Sequence, residues 1–135
     1  MTWTPFNDFT LAFFEAALWS SIDDAGEPLD NEHSIADIDP GSLARMAEDC
    51  KRFQASAEWQ AALAAEDDPR TALPRGYGCT LEQSAGADFW FTRCGHGAGF
   101  WDGDWQEPHA LALNALSKQF GNVDLYVGDD GKIYA

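Results

Sequence analysis

Positive charge is scarce in this chain of 135 residues: 8 Lys and Arg stand against 23 Asp and Glu, a formal net charge of −15. Such a balance excludes direct binding to nucleic acid or to an anionic membrane, because both carry dense negative charge of their own. Cysteine is scarce as well. Cys50, Cys79 and Cys94 are odd in number and irregularly spaced, which argues against a disulfide framework and for a reducing compartment. Long apolar runs are missing, and nothing approaches the ~20 apolar residues that a membrane helix needs. The start, Met1-Thr2-Trp3-Thr4-Pro5, lacks the basic residues and apolar run of a signal peptide. The expected location is therefore cytoplasmic. No internal repeat or low-complexity tract occurs. There is also no P-loop, no Gly-x-Gly-x-x-Gly opening a helix and no Gly-x-Ser-x-Gly elbow, so no cofactor is implied.

What is present is core material and acid. Hydrophobic residues make up 45% of the chain, with 6 Trp, 9 Phe and 3 Tyr, enough apolar area for one real core and against disorder. The acid is uneven. Residues 1–44 hold Asp8, Glu15, Asp23, Asp24, Glu27, Asp30, Glu32, Asp37 and Asp39, and the first basic residue is Arg45.

Periodicity divides the chain into elements. Thr4-Pro5 reads as an N-cap and first helical position, followed by Phe6, Phe9, Phe13 and Ala17 at helical spacing and an end near Ser20–Ile22. Asp23 to Asp39 is a long polar connection with turn signals at Gly26 and Pro28. Asp39-Pro40 repeats the capped start, and Leu43, Met46, Ala47, Cys50 and Phe53 form an amphipathic stripe. Ser56 caps a further helix with Trp59, Ala62 and Leu63, ended before Pro69. Residues 69–87 read as loop. Phe89-Trp90-Phe91-Thr92 is rich in strand formers, and with Gly95, Gly97, Gly99 and Phe100-Trp101 it reads as a β-hairpin. Pro108 opens a helix with Leu113, Leu116 and Phe120 on one face and Gly121 as its stop. Val123–Val127 and Lys132–Tyr134 flank the turn Gly128-Asp129-Asp130-Gly131 as a second hairpin. The expected fold is a single α+β domain over residues 1–135. Its N-terminal helices, about 1–68, would pack on a small antiparallel sheet built from hairpin, helix and hairpin over about 86–135.

Three stretches carry a family resemblance. Asp88–Arg93, the octapeptide Gly95-His96-Gly97-Ala98-Gly99-Phe100-Trp101-Asp102, and Val123–Gly131 resemble an uncharacterised family of small acidic bacteriophage and prophage proteins. Leu18-Trp19-Ser20-Ser21 and Gly26-Glu27-Pro28-Leu29-Asp30 resemble the N-terminal half of that family, so the likeness spans most of the chain. Cys94 departs from the family pattern, which has Asn there. The resemblance implies a phage setting, hence the cytosol of an infected host, and supplies no catalytic or ligand residue.

Two places are candidates for chemistry. His96 lies between glycines, where backbone can approach a ligand closely; with Trp90, Trp101 and Asp102 it forms a candidate ligand turn, with Asp102 or Asp88 as partner if His96 is a base. The plainer reading is that those glycines serve a tight turn. Cys94 and His96 with His109 or Cys79 offer only one of the short-spaced pairs a zinc site needs, and Asp102-Gly103-Asp104 with Glu107 is too short for a calcium loop, so no metal is expected. The acidic run is the other place. Asp23, Asp24, Glu27, Asp30, Asp37 and Asp39 are either a solvated surface or a contact for a basic partner.

With the phage resemblance, the leading expectation is a non-enzymatic inhibitor of a basic, nucleic-acid-binding host defence protein: an anti-CRISPR or anti-restriction factor, with DNA mimicry as its means. A ligand-binding protein or enzyme at the Gly95–Gly99 turn is the alternative. A phage structural or assembly protein comes third, since heptads and repeats are absent. The oligomeric state is left open by the sequence.

Overall fold

The computed structural model describes residues 6–66, 68–70, 80–95, 99–101 and 105–135. Its helices are α1 (Asp8–Ser20), α2 (Pro40–Gln54), α3 (Ala57–Leu63), α4 (Leu81–Cys94) and α5 (His109–Gln119). A single antiparallel pair, β1 (Tyr126–Val127) and β2 (Ile133–Tyr134), is the only sheet among the described residues. The fold is thus α+β but mostly helical.

Helix α1 starts later than the Thr4-Pro5 signal suggests, and those two residues lie outside the described ones. Asn7 is its N-cap, with the side-chain oxygen accepting the Thr10 N–H at 3.1 Å. Phe9, Phe13, Phe14, Ala16, Ala17 and Leu18 are buried, as the wide apolar arc requires. Asp39 caps α2 and accepts the Ser42 N–H at 3.0 Å, and Ser56 caps α3 and accepts the Trp59 N–H at 3.1 Å.

The largest correction concerns residues 81–94. The stretch read first as loop and then as the strand of a hairpin is α4. Thr80 and Gln83 form a capping box at its start, each side chain accepting the other residue's backbone N–H. Ala85, Gly86, Phe89, Trp90 and Arg93 are buried, a helical period rather than a strand's alternation. The aromatic run favours a strand locally, but on a strand Trp90 would face away from Phe89. As a helix, both rings meet α1, at 5.3 Å from Phe13 to Phe89 and 5.6 Å from Phe13 to Trp90. Gly86 allows the approach, since a Cβ there would run into the Phe9 carbonyl oxygen. Gly95 then stops the helix in the left-handed conformation at φ 73°. The Thr92 hydroxyl accepts the Phe100 N–H at 3.1 Å, folding the chain back so that Phe100 stacks on Phe53.

The core is therefore helix on helix, with α1 packed chiefly on α4, rather than helices on a sheet. It joins Phe9, Phe13, Phe53, Trp59, Phe89 and Phe100 and draws on both halves of the sequence. Arg93 crosses this core. Its guanidinium pairs with Asp49 of α2 at 3.1 Å, donates to the Phe120 and Gly121 carbonyls beyond α5, and lies over the Phe89 and Phe120 rings. Burial pulls its pKa down, and Asp49 opposes that shift. The β-hairpin sits at the edge. Its buried Ile133 bridges to Ile38, and the Ile133 carbonyl accepts the Asp39 N–H at 2.7 Å, tying β2 to the entry of α2.

Candidate functional site

Between α1 and α2 the chain runs as a strap, residues 21–39, containing two 3₁₀ turns, Leu29–Asn31 and Ile35–Asp37. Only Leu29 and Ile38 are fully buried in it, and they pin it to the core. The rest holds its shape by local polar bonds. Ile22 bridges to Pro28, and the Asp23 N–H donates to the Glu27 carbonyl at 2.9 Å, closing a tight loop at Gly26. One Asp23 carboxylate oxygen accepts the backbone N–H groups of Ala25 and Glu27. Ser34 and Asp37 form a capping box, and His33 lies 3.6 Å from Asp37.

The six acids read as a partner surface thus divide by what they do. Asp23, Asp37 and Asp39 are half-buried, and each satisfies backbone N–H groups of the strap or of α2. Asp24, Glu27 and Asp30 are exposed, with the Glu27 carboxylate accepting the Asn31 side-chain amide. Glu32 is exposed beside them. Where strap meets helix there is an open groove of about 510 Å³, lined by Leu11, Glu15 and Leu18 of α1 and by Asp30, His33 and Ile35. Its lining mixes apolar side chains with the carboxylates of Glu15 and Asp30.

The candidate ligand turn is not assembled by the described residues. His96 and Asp102 lie outside them. Trp90 is a correction: it is a core residue, 1% exposed, whose indole N–H donates to the Ser20 hydroxyl at 2.8 Å. Trp101 is exposed, and Asp88 accepts the Trp105 indole N–H at 2.7 Å. Cys79 also lies outside the described residues. No group of three metal-ligating side chains occurs among those described. Burial pushes the Cys50 thiol well above its ordinary pKa, so it is an inert core residue rather than a nucleophile. No described helix is long and apolar enough to cross a membrane.

One surface feature escapes the sequence reading. Trp19 and Ile22, at the C-terminal end of α1, are each 62% exposed. No local signal marks it: Trp19 packs on Phe91 of α4, so how much of its ring is left open depends on a neighbour distant in sequence. Compared with protein-family models, curated proteins and solved structures, the chain finds no match.

Proposed function

We propose that the protein is a non-enzymatic binding protein of phage type whose acidic strap occupies a basic surface on a host nucleic-acid-binding defence protein. The observation that carries this reading is the run of 44 residues with nine acids and no Lys or Arg. Four of its exposed members, Asp24, Glu27, Asp30 and Glu32, stand on the strap, where Glu27 also accepts the Asn31 side-chain amide. A groove built to hold a polyanion attracts such a surface, with fast and salt-sensitive association. Inhibition then means occupying that groove against nucleic acid, as an anti-CRISPR or anti-restriction factor does.

The test is capture from host lysate at low salt with elution by a salt gradient. It is run in parallel with a variant in which Asp24, Glu27, Asp30 and Glu32 are all Lys. The expected result is a basic nucleic-acid-binding protein that elutes early, that DNA displaces, and that the variant does not retain. Equal retention by the variant at low and high salt overturns the reading.

A further inference from the structure

We infer that the exposed end of α1 is an arginine-docking corner. In it a partner's guanidinium lies flat on the Trp19 indole, beside Ile22, while its N–H groups bond the carboxylates of Glu15 and Asp24. The inference rests on the proposed basic partner and names the chemistry that partner must present.

Four observations meet at this corner. Trp19 and Ile22 are exposed apolar side chains three residues apart, a pair of the kind that adjoins in contact patches. Trp19 is also held: its ring packs edge-to-face on Phe91 of α4 at 6.1 Å, so little freedom remains to be lost on binding. Trp on a prepared surface is the side chain most enriched at interface anchors. Next, acid lies close to it along the chain. Glu15 lies one helical turn back on the same face, and Asp23 and Asp24 follow at once. The bridge between Ile22 and Pro28 folds Glu27 back alongside Asp23. The third observation is that the described elements forming the corner carry no free cation of their own. Neither α1 nor the strap contains Lys or Arg, and the single one in α4, Arg93, is buried against Asp49. Finally, α1 ends here with no basic residue in its last turn, so its carbonyl end adds partial negative charge.

A cation is thus favoured by carboxylates, by the helix end and by the indole face. Arg fits all three better than Lys. Its guanidinium is planar and weakly hydrated, stacks on an aromatic face, and presents a fork of donors to carboxylates. Lys would satisfy the charge but not the stacking.

The probes are fluorescently labelled nona-arginine and nona-lysine peptides, titrated with the whole chain and followed by anisotropy. The arginine peptide is expected to bind several-fold more tightly. Trp19→Ala should weaken it about 5-fold and remove the preference, leaving the lysine peptide nearly unchanged. Trp19→Leu keeps the apolar bulk and loses the π face, so it covers the case in which the alanine variant unfolds; it too should lose the preference. Glu15→Lys with Asp24→Lys should weaken both peptides. Equal binding of the two peptides, untouched by Trp19→Leu, overturns the arginine corner. It leaves the acidic-strap reading standing if the four-Lys variant still loses its host partner. Concentration-dependent dimers in sedimentation that Trp19→Leu abolishes would assign the corner to a second copy of the chain and also overturn it.

Discussion

The strap at residues 21–39 and the seam between α1 and α4 are held by opposite means. In the seam, aromatic rings interlock and two backbones approach at Gly86, where even a methyl group has no room. In the strap, two buried side chains act as pins, and carboxylates and a serine hydroxyl tie up the backbone locally. The lesson concerns where charge is free to serve another purpose. At Gly86 the seam leaves no room for a side chain, whereas the strap separates acids that hold the backbone from acids that face solvent. Self-repulsion among the latter lowers the stability of the folded state.

The largest expected effect lies in the seam. Gly86→Val should cost about 3 kcal/mol or more in denaturant unfolding, because the branched side chain must push α1 and α4 apart at Phe9. A loss below ~1 kcal/mol would show that the seam can slide and would weaken the contrast with the strap. Next comes Arg93→Met, which keeps the stem over the Phe89 and Phe120 rings but leaves Asp49 and two carbonyls without their donor. A loss of about 2 kcal/mol is expected. The double variant with Asp49→Asn should recover part of it, measured as a double-mutant cycle. The smallest effects divide the strap itself. Asp39→Ala should cost ~1 kcal/mol as a lost N-cap of α2. Asp24→Ala and Asp30→Ala should fall within about 0.5 kcal/mol of the parent, on the stabilising side at low salt. Equal losses at Asp39 and Asp30 would erase the division of roles.

Legibility followed the range of the forces involved. The caps at Asp39 and Ser56 were readable because an N-cap is a local bond between a side chain and an N–H two or three residues on. The amphipathic stripe of α2 was readable for the same reason, its period being intrinsic to the helix. Helix α4 was misread although its capping box, Thr80 with Gln83, is also local. The aromatic run at Phe89–Phe91 and the Gly at 86 outweighed it as strand and breaker signals, because neither shows in sequence that α1 lies alongside. Arg93 was likewise invisible as a core residue, since its partners Asp49, Phe120 and Gly121 come from two other segments. Of the candidate site, the concentration of acid was legible, and its division into backbone ties and free carboxylates was not.

The sequence by itself determined the net charge, the lack of cations before Arg45, the apolar arc of α1 and the starts of α2 and α3. Composition, i to i+4 spacing and capping act within one turn of chain, so no tertiary contact alters them. Tertiary structure alone decided that residues 81–94 are a helix, that the core is helix against helix, and that Trp90 is buried while Trp19 is exposed. Those outcomes depend on which face meets which, and burial of apolar area against a distant segment outweighs the ~1 kcal/mol scale of local propensity.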